Sequence, residues 1–491
     1  MENNPVRRQR GSMSIMFASL LLVVLGFMGL VVDLGRIQNR QAELQGTLDG
    51  AALAAARQLD NTVAGVNLAV AAAAAATAGN RNYQAGAAWP AENVRTALRF
   101  SNQAGMDAVW RTADEAAAAP AGMLFVQFDS SLITPPDAAV TPIFMGLFSN
   151  AAAVTASGRA IAGSSSIRVA PLALCALDQA LPQPTFRDND GTVNNQELVE
   201  YGFRRGVGYN LLNLNPIGAA PLNFIVNPID GPGEVGDAAN LAPAVVAPFV
   251  CSGTMLRPRV VGAGAEIAVA APFPIGALFG QLNSRFGGAA GPCDRPGAPR
   301  DNNVTRYDGS GGSGGSANYW PAATGQNVAV RVSGNRKTAA DLPRPVPAPG
   351  PVPAADYGRL WSFARPVRWS TYQATPDEPA SGYLPFPTTA VATLYPAASG
   401  SLLSATYQTA NPKWTPYLLV PAQPDTEPRL ARRRVLNVPL LACPVPASGL
   451  ATVRAIGRFF MTVPATATVL SAEFAGLVPE SSVRGPVELY R

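Results

Sequence analysis

Residues 11–32 read GSMSIMFASLLLVVLGFMGLVV, 22 positions without a charge, bounded by Arg10 and Asp33. At a rise of about 1.5 Å per residue, a helix of this length extends about 33 Å, close to the thickness of a bilayer's hydrocarbon core. The stretch predicts a spanning helix. A cleaved signal peptide has a shorter apolar core followed by a small-x-small site. Here the core runs directly into Val31, Val32, Asp33 and Leu34, so retention as an anchor is expected. Arg7, Arg8 and Arg10 precede it, and the positive-inside rule then predicts a cytoplasmic stub over 1–10, a transmembrane helix over 11–32 and an exported remainder.

Outward from the span, RIQNRQAELQGTLDGAALAAARQLD (36–60) keeps helical periodicity with strong helix formers, and the Ala-rich stretch 67–78 prolongs it. Residues 33–79 are expected to continue the spanning helix, with a kink at Gly46 or Gly50. Ala51, Ala52, Ala54, Ala55 and Ala56 give it a small face suited to close packing. From Glu92 the period changes. NVRTALRF, MDAVWRT and MLFVQFD read as short β runs, PIFMGLF (142–148) as a short helix and AAAVTASGRAIAG (151–163) as another strand. The expected fold class is α+β: over 33–170 a long helix on a small antiparallel sheet, then a loop-rich, β-dominated exported region. That region divides into 171–307, a Gly/Ser and Pro-rich linker over 308–354, and a β-rich part over 355–491. In the linker DGSGGSGGSA is flexible by composition and PRPVPAPGPVPA extended. The last part ends with RRVLNVPLLAC, TVRAIGRFFMTV and TVLSAEFAGLV as a compact sheet.

Composition bounds the function. The 491 residues allow about three domains, and charged residues make up 14% against about 25% in an average soluble domain. Forty-six glycines and 45 prolines, about 19% together, fall below the roughly 25–30% of a disordered chain. There is no histidine, which excludes every Ser-His, Cys-His and His-ligated metal mechanism. The net charge of +5 is carried by arginine, since Lys337 and Lys413 are the only lysines. No dense basic patch interleaves with aromatics, so no nucleic-acid partner is expected.

Cys175, Cys251, Cys293 and Cys443 all lie beyond the span, without CxxC spacing, and an even number in an oxidising compartment implies two disulfides. Three connectivities exist. The preferred one joins Cys251 to Cys293 and Cys175 to Cys443, because the latter two end similar apolar runs, VAPLALC and VLNVPLLAC, that suit neighbouring strands.

Two motifs approach metal chemistry. FRDNDGTVNNQE (186–197) has the glycine of an EF-hand loop at Gly191, with Asp188, Asp190, Asn194 and Glu197 at ligand positions. Position one is Phe186 instead of Asp, and Pro182 and Pro184 oppose an entering helix. The preferred reading is a polar turn capping a short helix at QELVEY, with Glu197 and Glu200 on a solvated face. LFVQFDSS places Asp129, Ser130 and Ser131 in most of the Asp-x-Ser-x-Ser pattern of a metal-dependent adhesion site, but the fifth residue is Ile133, and a strand-to-turn junction explains it. No GxSxG, P-loop or dinucleotide fingerprint occurs. No catalytic, cofactor-binding or metal residue is assigned, no cofactor is expected, and the chain reads as no enzyme.

The N-terminal segment as a whole resembles the signature of the TadE/TadG-like family of Flp (tad) pilus-assembly proteins, in its TadG-like subset. The resemblance rests on Arg7-Arg8-Gln9-Arg10-Gly11, the apolar span, Val32-Asp33-Leu34-Gly35-Arg36 and Leu48-Asp49-Gly50-Ala51-Ala52. It implies a pilin-like unit over 33–170 and a single-pass protein of the bacterial inner membrane, N-terminus cytoplasmic and bulk periplasmic. The implied role is an assembly factor or minor pilus subunit related to adhesion. Met16 stands where prepilin-like relatives carry a Glu, so retention is implied instead of processing after Gly11. Other pilus subunits would pack through the N-terminal helix at Gly26 and Gly29, in homo- or hetero-oligomers. The alternative is a membrane-tethered envelope binding protein or hydrolase unrelated to pili.

Overall fold

The computed structural model describes residues 12–59, 62–79, 89–104, 108–120, 122–133, 139–140, 142–144, 154–155, 157–179, 183–189, 191–214, 222–262, 264–287, 293–294, 296–307, 328–332, 335–338, 360–394, 415–419 and 429–490. The expected stub over 1–10 and the DGSGGSGGSA and PRPVPAPGPVPA linkers lie outside them. The chain forms two compact units, one of residues 1–164 with 486–491 and one of 165–485.

The first unit is built on α1 (Ser12–Ala56), a single helix of 45 residues. At about 1.5 Å per residue it extends roughly 68 Å, twice what a bilayer core needs. Met13 to Val32 expose their apolar side chains nearly all round the helix. Further along, Leu44, Leu48, Ala51, Ala52 and Ala55 recur at helical spacing and are buried.

The helix is not interrupted at Gly46 or Gly50; a glycine costs a helix only about 1 kcal/mol against alanine, too little to break one fixed by buried neighbours. The expected continuation to 79 instead ends at Ala56. Thr62 Oγ1 accepts from Gly65 N at 3.0 Å and starts α2 (Val63–Gly79). The Ala-rich stretch is thus a second helix. Val66, Ala69, Val70 and Ala73 share a core with the alanines of α1.

α3 (Ala91–Ala97) leads into β1 (Leu98–Ser101), so most of NVRTALRF is helical, with Val94 and Ala97 buried three residues apart. α4 (Ala113–Ala118) starts with a capping box between Thr112 and Glu115. β2 (Phe125–Asp129), β5 (Arg159–Gly163) and β21 (Glu488–Tyr490) complete a four-stranded antiparallel sheet in the order β1-β2-β5-β21. Its alternate residues Leu98, Phe100, Val126, Phe128, Ala160 and Ala162 are buried in the core shared with α1 and α2. Among the described residues of MDAVWRT only Arg111 pairs, by two 2.8 Å backbone hydrogen bonds with Phe100. A short ribbon, β3 (Ala139–Val140) with β4 (Val154–Thr155), brackets PIFMGLF; Pro142 to Phe144 are not helical, and 145–148 lie outside the described residues.

The second unit is β-dominated. β10 (Gly208–Asn210), β20 (Ser471–Val478), β19 (Val453–Met461), β17 (Val435–Leu441), β6 (Leu172–Cys175), β11 (Asn223–Val226), β12 (Ile267–Ala270) and β18 (Leu450–Ala451) form one eight-stranded sheet in that order. The boundary expected at 170 falls close to the division at 164–165, but those expected on either side of 308–354 do not separate domains, because 171–307 and 355–491 contribute strands to this same sheet. Its centre is the parallel pair β17–β6, with Leu440 opposite Leu174 and Leu441 opposite Cys175. The two apolar runs ending in cysteine are therefore neighbours, and Cys175 is bonded to Cys443. α5 (Pro243–Ser252) and α6 (Ile275–Asn283) pack together, and Cys251 of α5 is bonded to Cys293.

β7 (Thr185–Arg187), β8 (Glu197–Glu200) and β9 (Phe203–Arg204) form a separate three-stranded sheet. β13 (Arg300–Asp301) pairs with β16 (Arg429–Leu430), and β14 (Val328–Val332) forms a hairpin with β15 (Asn335–Thr338) within the expected linker.

Candidate functional site

Among the described residues, the segment 12–32 of α1 is the one long and apolar enough to cross a membrane. Its hydroxyls need internal partners at that depth, and Ser19 Oγ donates to Met16 O at 3.0 Å. Of the two small residues expected to receive a partner helix, Gly26 has open space where a side chain would stand. Gly29 does not. A Cβ there would lie 2.5 Å from Cβ of Phe144, so a segment of this same chain already occupies that face.

One turn further along, Asp33 is buried to 1% exposure. Its Oδ1 accepts from the backbone N–H of Ile143 at 2.9 Å and its Oδ2 from that of Phe144 at 2.8 Å. Hydrogen bonds to a charged group are worth about 1.5–3 kcal/mol each, so one carboxylate fixes this peptide to the helix. Arg36 lies 4.0 Å from Asp33, and Arg40 Nη1 donates to Glu43 Oε2 at 3.0 Å. Gly29, Asp33, Arg36 and Arg40 are spaced by three or four residues and thus lie on one face of α1. The role of Asp33 was not legible in the sequence, where it marked the end of an apolar run and one position of the signature Val32-Asp33-Leu34-Gly35-Arg36. The available signal was the second apolar run, PIFMGLF, which has no β alternation.

In the sequence motifs with possible chemistry, the described side chains make local hydrogen bonds. Asp129 Oδ1 accepts from Ser131 N at 2.9 Å and from Ser131 Oγ at 2.6 Å, while Ser130 Oγ accepts from Gly158 N at 2.9 Å; this is a strand-to-turn junction. Phe186 to Glu197 is a β-hairpin connection with Asp188 Oδ1 accepting from Gly191 N at 2.8 Å; Asp190 lies outside the described residues. QELVEY does not form the expected helix, and Glu197 and Glu200 are not solvated. Both are buried in β8, where an odd separation points them to opposite faces. Arg204 and Arg205, adjacent and so likewise opposed, meet them: Arg204 Nη2 to Glu197 at 2.9 Å and Arg205 Nε to Glu200 at 2.6 Å. The pairing is what makes a strand here, because a helix would leave two carboxylates on one side.

Two further buried charges of the second unit, Arg434 and Glu473, are met by backbone groups. Arg434 donates to the carbonyls of Met461, Asn303, Thr305 and Thr462 and lies 4.5 Å over the ring of Phe460; burial lowers its pKa to about 10, which leaves it charged at neutral pH. Glu473 accepts from the backbone N–H groups of Ser362, Phe363 and Ala364 at 2.6, 3.1 and 2.6 Å. Burial pushes its pKa up to about 7, against the pull of those three donors. Among the described residues no cluster of His, Cys, Asp or Glu is arranged to hold a metal ion.

The long helix and the turn after it are where this chain is similar to known proteins. Residues 11–58 match the family described as putative Flp pilus-assembly TadE/G-like, and the matched span coincides with α1. No curated protein and no solved structure matches the chain.

Proposed function

We propose, from the TadE/G-like match over 11–58, that the protein is a membrane-anchored, single-pass component of an Flp-type pilus-assembly system. It acts by binding, as an assembly factor or minor subunit, and not by turnover. The observation that carries this reading is the division of α1: Met13 to Val32 expose an apolar surface, whereas Leu44 to Ala55 are core residues of a folded unit. One rigid element thereby links a membrane span to the rest of the protein. The arginines before the span favour a cytoplasmic N-terminus, with both units on the periplasmic side of the inner membrane. Two disulfides in the second unit agree with an oxidising compartment. The open face at Gly26, bordered by Leu22 and Leu30, is the position at which a helix of another subunit would approach closely.

The test is deletion of the gene in a strain that forms such pili, scored for surface filaments and for co-purification of the tagged chain with the assembly machinery. Loss of filaments, restored by the wild-type chain, is expected, together with co-purification. Unchanged filaments and an uncomplexed chain would leave a tethered envelope protein as the better description. A Gly26→Leu variant is expected to lose co-purification while remaining in the membrane fraction.

A further inference from the structure

We propose that Ile143 and Phe144, which follow β3, form a second membrane contact: they enter the lipid boundary beside α1 and are held there by the Asp33 carboxylate. The proposal rests on the reading of residues 12–32 as a membrane span and adds a lipid-binding surface to it.

Depth is set by the helix. Gly29 lies four residues inside Asp33, about 6 Å further along the axis into the apolar segment. Phe144 sits against Gly29, so the medium that surrounds the helix at Gly29 also surrounds Phe144. Leu30, Val31, Val32 and Leu34 present exposed apolar side chains at the same level, and Ile143 and Phe144, 55% and 38% exposed, extend that surface.

Non-helical backbone is ordinarily excluded from this depth because each unpaired N–H costs several kcal/mol away from water. The N–H groups of Ile143 and Phe144 avoid that cost by donating to the two oxygens of Asp33. The carboxylate is in turn hidden from lipid, at 1% exposure. Arg36, one turn toward the aqueous side, is partly exposed and can extend its guanidinium to the headgroups. A second copy of α1 is the other conceivable occupant. The close approach that small residues permit is blocked at Gly29, however, because Phe144 fills it. Lipid, which needs no groove, fits the surface that remains.

The test uses the full chain, reconstituted in phosphatidylethanolamine and phosphatidylglycerol vesicles, with the photoreactive p-benzoylphenylalanine placed singly at Leu22, Ile143 or Val109. Val109 is 70% exposed and stands near Arg111, which pairs with the sheet packed on the far half of α1. Lipid adducts are expected at 22 and 143 and none at 109. Adducts at 22 without adducts at 143, or a protein crosslink at 143 without lipid, overturn the proposal and leave the span intact. Absence at both positions overturns the span as well, and adducts at all three show that 143 is not special. In an Asp33→Asn background, where one oxygen is replaced by an N–H donor, the adduct at 143 is expected to fall several-fold with that at 22 unchanged. Retention of the protease-resistant first unit shows that the variant is folded. An undiminished adduct at 143 would overturn the holding role of Asp33.

Discussion

Asp33 and Glu473 are both buried carboxylates with backbone N–H partners, and each shows how a single residue can set the behaviour of a much larger region. For Glu473 the consequence is a pH dependence. Its folded pKa, about 7, exceeds the ordinary value of 4.5 because burial disfavours the charge. The folded state therefore holds a proton that the unfolded chain releases between those two values. The contribution to stability is complete below about pH 4.5 and is lost as pH rises through about 7, with a slope of at most about 1.4 kcal/mol per pH unit. Denaturant midpoints of the second unit in the full chain, measured from about pH 5 to about pH 8, are expected to fall across that window. A Glu473→Gln variant is expected to flatten the slope; an equally steep decline in the variant would assign it to other groups. In the first unit, Gly163 has no room for a side chain: a Cβ would lie 2.2 Å from the ring of Phe125 and 2.8 Å from Leu124 O. Gly163→Ala is expected to cost about 1–3 kcal/mol by thermal or chemical denaturation.

At the scale of elements, periodicity made the buried face of α1 legible, because Leu44, Leu48 and Ala51 recur as a helix requires. It could not show where the helix stops. Ala-rich sequence on both sides of Thr62 is equally helical, and the break depends on local competition for hydrogen bonds. Thr62→Ala is expected to destabilise the α1–α2 pair by about 1 kcal/mol. Ala69→Leu, which forces bulk into a position with no exposed surface, is expected to cost about 1–3 kcal/mol. Pairing of Cys175 with Cys443 was legible because two similar apolar runs end in cysteine, and strands that end alike lie alike in a parallel pair. QELVEY was misread for the opposite reason. Its two glutamates look like a helical face until Arg204 and Arg205 are seen to meet them from either side. Loss of the Cys251–Cys293 bridge, which closes a 42-residue separation, is expected to cost about 4 kcal/mol on chain-entropy grounds. A Cys251→Ser, Cys293→Ser variant compared with wild type in denaturant checks this.

At the scale of the molecule, the strand that completes the first unit follows the whole of the second. Gly163 of β5 pairs with Glu488 of β21, and within the second unit Ser166 O accepts from Gly485 N at 2.8 Å. The second unit is therefore an insertion between two neighbouring strands. Composition alone could not reveal this: the crossings carry only the short runs Gly163-Ser164-Ser165-Ser166 and Gly485-Pro486, while the longer Gly/Ser and Pro-rich stretches between them look like boundaries. Replacing 166–484 by a short Gly-Ser turn is expected to leave the first unit folded and membrane-bound, as judged by membrane fractionation and limited proteolysis. Degradation of that product would show that the units depend on each other. The same connectivity has a bearing on biogenesis. A ribosome delivers α1 to the translocation machinery first and β21 hundreds of residues later, so the N-terminal sheet waits with one strand position vacant while the inserted portion is made. Any polypeptide cut short before that final strand is tethered yet carries an open, pairing-competent edge, a mark by which quality-control proteases can distinguish it from the finished product.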